Sequence, residues 1–194
     1  MSEISERYRK VAGQFTQRVG AVPDDAWANP APCEGWAARD VVGHLVEWLP
    51  AFFFGTWGID VPPIPSVDED PVGAWAVVDG AIQAALDDPD TARRQRDTPM
   101  GRASLEQTID RICTWDGLVH TWDLARATGL DESLDPDEVH RFVEGMEPLD
   151  ELLRQSGQYG ARVSVPDDAD EQTRLIAFVG RDPQRSLASR WQRS

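Results

Sequence analysis

Asp116 and His120 stand four residues apart in the stretch Cys113-Thr114-Trp115-Asp116-Gly117-Leu118-Val119-His120-Thr121-Trp122-Asp123. On a helix that spacing stacks the two side chains one turn apart, with Cβ atoms about 5–6 Å from each other. A carboxylate oxygen and an imidazole nitrogen so placed can hold one metal ion. Their position is anomalous for a core helix. Upstream, Leu105, Ile109 and Ile112 recur at spacings of four and three, and the same stripe continued lands on Asp116, then Val119 or His120, then Asp123 or Leu124. Burying a carboxylate without a partner costs several kcal/mol, so a cation, a hydrogen-bond network or local water is needed there.

A second segment repeats the intrusion. Val41, His44, Leu45, Trp48 and Phe52 form a helical stripe with a histidine at its apolar centre. A lone histidine on such a face is more often a core residue bonded to a backbone carbonyl than a ligand. Beside the pair Asp116/His120, one ion would satisfy both intrusions at once. Two imidazoles and a carboxylate leave at least one coordination position open for water or substrate, as in catalytic zinc sites. Glu47, three after His44, is the candidate general base near a bound water. Asp123, three after His120, is either a partner orienting that imidazole or a helix-end hydrogen bond to backbone. His140 falls off its own apolar stripe and is expected to be solvated.

These residues need helices to carry them, and periodicity supplies them. A first helix fits Ile4 to Val19, burying Tyr8, Val11, Phe15 and Val19. A second begins near Ala37 after a loop broken by Pro30, Pro32 and Gly35, and Pro50 should bend it. A third fits Pro71 to Leu86 on the stripe Val72, Trp75, Ile82 and Leu86. Arg93 to Arg102 reads as a short hairpin or an irregular crossing, and Ser104 with Gln107 reads as a capping box opening the central helix, which ends at Gly129. Asp135-Pro136 starts a fifth helix on Val139, Phe142, Met146, Leu149 and Leu153. Tyr159 to Val165 reads as extended, and Asp167 or Asp168 should cap a last helix through Phe178, closed by Gly180. The expectation is an all-α four-helix bundle with short additional helices and a minor extended segment, folding as a single domain over 1–194 with a frayed tail from about 183 to 194.

Composition narrows the functional classes. Nineteen Lys and Arg against 34 Asp and Glu give a formal net charge of −15, which repels phosphate backbones and anionic lipid and excludes nucleic-acid and membrane roles. The N-terminus has no signal-peptide core and no stretch is apolar enough for a membrane span, so a cytoplasmic location is expected. Cys33 and Cys113 are far apart and outside any CxxC pattern, consistent with free thiols. The run Ala51-Phe52-Phe53-Phe54-Gly55-Thr56-Trp57 is too wide for one buried helix face, and some of its rings should cover a pocket mouth or a homodimer interface.

Taken together, Pro32-Cys33-Glu34-Gly35-Trp36 followed by Arg39-Asp40-Val41-Val42-Gly43-His44-Leu45, and then Val119-His120-Thr121-Trp122-Asp123-Leu124-Ala125-Arg126-Ala127-Thr128-Gly129, resemble the DinB-like bundle superfamily. Within it the likeness is to the mycothiol-dependent maleylpyruvate isomerase-like metal-binding proteins. Val165-Pro166-Asp167-Asp168-Ala169-Asp170 through Gly180-Arg181-Asp182-Pro183 is similar to the end of an actinobacterial-type subgroup. The resemblance implies a divalent metal, Zn2+ or another ion such as Ni2+, held by a histidine on the second helix and an acid-x-x-x-His pair on a later one. Those positions are His44, Asp116 and His120. Two departures stand out: Asp116 replaces a frequent glutamate, and Ala37 replaces a threonine that would cap its helix, a loss of about 1 kcal/mol. The isomerase also carries a larger C-terminal domain that 194 residues are too short to include, so maleylpyruvate itself is not the expected substrate.

The function these readings imply is a metal-dependent thiol S-transferase or isomerase, with mycothiol as co-substrate by resemblance and a small electrophile as the other partner. Metal-activated water hydrolysing a small substrate would need the same ligands, and a non-catalytic metal- or ligand-binding bundle would need only the ion.

Overall fold

The computed structural model describes residues 2–98, 101–155 and 159–185. It is all-α with one small hairpin. Helix α1 (Glu3–Ala21) is capped by Ser2, whose side chain accepts from the Ser5 N–H, and it buries Tyr8, Val11, Phe15 and Val19. Helix α2 (Ala38–Leu49) starts without a side-chain cap from Ala37, but Asp40 Oδ2 accepts from the Ala37 N–H at 2.8 Å, the reciprocal half of a capping box. Pro50 does not end this helix. The chain runs on as a wide π turn over Pro50–Phe54 and a last turn over Gly55–Trp57, closed by left-handed Gly58 at φ 65°. A proline cannot donate to the carbonyl four residues back, and a locally widened turn accommodates it. Phe54 and Trp57 of the aromatic run are buried and Phe52 is half-buried against the same core.

Helix α3 (Pro71–Asp87) is capped by Asp70 and packs on α1 and α2 through Ala74, Trp75, Val78 and Ile82. Val72, expected on that stripe, is 46% exposed: the buried face runs through Pro71 and Ala74 instead. A one-turn helix (Pro89–Ala92) follows, and then the hairpin of β1 (Gln95–Thr98) and β2 (Gly101–Ser104), antiparallel with Gln95 opposite Ser104. The capping box forms as its sequence signals, with Ser104 accepting from Gln107 N–H and Gln107 Oε1 from Ser104 N–H.

The central helix is not continuous. It breaks at Ile112 (φ −118°, ψ −63°) into α4 (Leu105–Arg111) and α5 (Cys113–Thr128). The Ile109 carbonyl takes the Thr114 hydroxyl at 3.4 Å, a side chain inserted into the backbone ladder, which is a recognised cause of kinks. The kink hands the core position of Ile112 to Cys113, so the buried line runs Leu105, Ile109, Cys113 and on to His120.

Helix α6 (Pro136–Met146) begins at the Asp135 cap, and Arg7 of α1 forks onto Glu138 while reaching Asp110, which ties α1 to α4 and α6. Leu149, expected on its stripe, is 43% exposed because a 3-10 turn at Glu147–Leu149 interrupts the helix before α7 (Asp150–Gln155). Residues 159–165 pair with no strand among the described residues; the Val163 N–H bonds the Ala177 carbonyl at 2.9 Å, and Arg154 donates to the Gly160 carbonyl. Helix α8 (Glu171–Phe178) is capped by Asp170 rather than by Asp167 or Asp168, with Asp170 Oδ1 accepting from Thr173 N–H at 2.8 Å. It ends in a Schellman motif: Gly180 is left-handed at φ 84°, its N–H bonds the Ala177 carbonyl, and the Arg181 N–H bonds the Ile176 carbonyl. Of the tail expected to fray, Pro183 and Gln184 form a turn and 186–194 lie outside the described residues.

Two cores result. The larger joins α1, α2, α3 and α4 with the near face of α5, and the smaller joins the far face of α5 with α6 and α8 through Leu118, Trp122, Phe142 and Leu175. Helix α5 is therefore enclosed nearly all round, and its hydroxyls are absorbed internally, Thr121 to the Gly117 carbonyl and Thr128 to the Leu124 carbonyl, each at 2.7 Å. No helix among the described residues is long and apolar enough to cross a membrane.

Candidate metal centre

His44 and the pair Asp116/His120 converge where α2 packs against α5. His44 Nε2 lies 3.3 Å from Asp116 Oδ2 and His120 Nε2 lies 3.4 Å from Asp116 Oδ1. These separations exceed the 2.7–2.9 Å of a charge-assisted hydrogen bond. Two ligands about 2.1 Å from one tetrahedral zinc stand about 3.4 Å apart. All three donor atoms lie within 4.8 Å of one another, so the set fits one divalent ion. His120 is buried, whereas the His44 and Asp116 side chains keep 32% and 26% of their exposure, which leaves the cluster open on one side.

Loop and helix aromatics enclose it. Trp36 N–H bonds the Cys33 carbonyl at 3.2 Å across a turn with Gly35 left-handed at φ 80°, where a side chain would be strained. The turn lays the Trp36 indole on His120, stacked at 5.9 Å, and against His44 at 5.1 Å. Trp48, one turn beyond His44 on α2, donates its indole N–H to Asp116 Oδ2 at 2.9 Å. Nothing about Trp48 except its place on the His44 stripe signalled that contact.

Behind His120 the network continues inward. Asp123, fully buried, meets His120 Nδ1 at 2.9 Å, the orienting role rather than the helix-end bond to backbone. Arg181 forks onto Asp123, with Nε 3.3 Å from Oδ1 and a terminal nitrogen 3.0 Å from Oδ2. The same terminal nitrogen lies 3.1 Å from Cys33 Sγ, and Cys33 Sγ is 3.5 Å from Asp123 Oδ2. Arg181 sits in the C-terminal Gly180-Arg181-Asp182-Pro183 stretch, but a separation of 58 residues from Asp123 leaves no periodic signal of the pairing. Glu47, the candidate base, is exposed on α2 and is absent from the donor set. His140 is 53% exposed and pairs with Glu171 at 3.0 Å.

The charges are arranged accordingly. Burial opposes ionisation of Asp116, yet the two imidazoles outweigh it and hold its carboxyl well below the usual carboxylate range. Burial also works against charge on His120, but Asp116 and Asp123 raise it to about 9. Asp123, penalised first by burial, is held below its ordinary value by Arg181 and His120. Burial pushes the Cys33 thiol up to about 12, helped by the Asp123 charge, so Cys33 is no nucleophile at neutral pH. Tyr159 is pushed up to about 12 by burial and then by Asp116.

Comparison with known proteins finds a family match in the N-terminal part of the chain. Residues 8–53, which span α1, the Trp36 turn and α2 with His44 and Trp48, match the family described as the mycothiol maleylpyruvate isomerase N-terminal domain. Two uncharacterized proteins of Mycobacterium tuberculosis, MT0763 and Rv0738, are each 24% identical over 176 residues, covering 90% of this chain and 95% of the relative. No solved structure matches. Over residues 8–53, about a quarter of its length, the chain is similar to the mycothiol maleylpyruvate isomerase N-terminal domain.

Proposed function

We propose that the protein binds one divalent metal ion, zinc by the chemistry of the donors, through His44, Asp116 and His120, and uses it to transfer or isomerise with a low-molecular-weight thiol, mycothiol by family, acting on a small electrophile in the cytoplasm. The observation that carries the reading is the approach of two imidazole nitrogens to one carboxylate at 3.3 and 3.4 Å on a cluster closed behind and open in front. When bound, the ion supplies Lewis acidity that lowers the pKa of a coordinated thiol. Trp36 and Trp48 keep water from the imidazole faces. Asp123 holds the His120 ring by its Nδ1, leaving Nε2 for the ion. Trp48 holds one Asp116 oxygen, which compensates the shorter reach of aspartate with a fixed orientation.

Metal analysis of the purified protein is expected to find about one divalent ion per chain, lost in His44→Ala and in His120→Ala. Full retention in both variants rejects the site. Thiol-dependent turnover of a generic electrophile, absent after chelation, separates the transferase from a metal-dependent hydrolase; if neither activity is found while chelation lowers the melting temperature, the ion is structural.

A further inference from the structure

Asp123 offers both carboxylate oxygens to a site with no exposure to water, and Arg181 meets both, at 3.3 and 3.0 Å. A forked guanidinium contact fixes the plane of a carboxylate as well as its position, which a single-point contact does not. With that plane fixed, the line along which His120 Nδ1 approaches Oδ2 is fixed too, and the ring turns its Nε2 toward Asp116. We propose that Arg181 is a positioning residue of the metal centre, which acts through Asp123 to hold His120 with Nε2 presented to the ion. The inference rests on the metal reading above.

Two further observations show that the arginine is built in. Its terminal nitrogens also bond the Val179 carbonyl and Cys33 Sγ, each at 3.1 Å, so the guanidinium is anchored to its own segment and to the loop that lays Trp36 on His120. Its backbone is aimed by the Schellman motif, because Gly180 adopts φ 84° and sits so close to Gly160 that a Cβ there would lie 2.9 Å from the Gly160 Cα. Any side chain at 180 would shift the exit direction of residue 181. The C-terminal segment thus completes the far side of a centre whose ligands all come from α2 and α5.

The test is a Co2+ titration of the full chain against a competing chelator, read by affinity and by ligand-field absorption, with far-UV circular dichroism and melting followed in parallel. Arg181→Met is expected to bind Co2+ about 10- to 100-fold more weakly with a changed absorption spectrum and retained helicity. Arg181→Lys, which restores one contact but no fork, is expected to fall between Arg181→Met and wild type. Wild-type affinity and spectrum in Arg181→Met, or a lysine variant as weak as the methionine one, overturns the positioning role while leaving the site. If Arg181→Met does not fold, the lysine variant decides: weaker binding at unaltered melting supports the role, and unchanged binding overturns it. A wild-type protein that binds no Co2+ overturns the metal reading and this inference together.

Discussion

Metal uptake should be coupled to loss of the His120 proton, so raising the pH from 7 to 9 should tighten binding about 50-fold. Ion and proton compete for His120 Nε2, and in the metal-free cluster the Asp116 and Asp123 carboxylates, 3.4 and 2.9 Å from the ring nitrogens, raise its pKa to about 9. At pH 7 the ion displaces a proton whose pKa lies about two units above the pH, worth roughly 3 kcal/mol. Calorimetric titration in two buffers of different ionisation enthalpy counts the protons directly: about one released per ion at pH 7, about half at pH 9 and few above. The metal-free protein carries the reciprocal dependence. Because the folded pKa of His120 lies above the unfolded value of 6.5, its proton's contribution to stability is whole below that value and is lost as pH rises through about 9. Chelated protein should therefore melt at lower temperature at pH 9 than at pH 6.5, and saturating metal should remove that decline. Proton release near zero at pH 7, or affinity flat from pH 7 to 9, would refute the electrostatic account of His120.

Three further outcomes follow from contacts already described. Trp48→Phe keeps the ring but loses the N–H that holds Asp116 Oδ2, and should weaken metal binding by about 10-fold or more with little change in melting temperature; equal affinity by chelator competition removes Trp48 from the centre. In the native protein Cys33 should react with a disulfide reagent about 1,000-fold more slowly than free cysteine at pH 7, because its thiol is pushed up to about 12, and should react normally in denaturant; a fast native reaction contradicts its placement against Asp123. Arg7→Met strands Glu138, whose side chain is 4% exposed, and Asp110, and should cost about 3 kcal/mol in denaturant unfolding; a loss under about 1 kcal/mol shows that the two carboxylates find other partners.

The convergence of Asp116, His120 and His44 was legible as an error in a pattern: these residues break apolar stripes, and a broken stripe marks burial that needs compensation. The orienting Asp123 was legible for the same reason, since it shares a helical face with His120. Arg181, Cys33 and Trp36 were not assigned roles, because they reach the centre from segments with no periodicity, through a Schellman turn and a tight loop whose side-chain directions depend on tertiary packing. The break at Ile112 escaped because Leu105, Ile109 and Ile112 keep helical spacing through it, and a threonine hydroxyl rather than a proline or glycine interrupts the ladder. Val72 and Leu149 were misplaced by counting apolar residues without the termini that rotate each face.

The enclosure of α5 between two cores gives this helix a different life from its neighbours. Fraying of α8, or a breath of α6, uncovers one flank and leaves the other clasped, so its amides can trade hydrogen for deuterium chiefly through collapse of the whole molecule. Asp116 and His120 are therefore expected to ride on the slowest-exchanging helix among the described residues, while His44 rides on one with a solvent-facing side, and an ion joining them would tie that helix to the enclosed one.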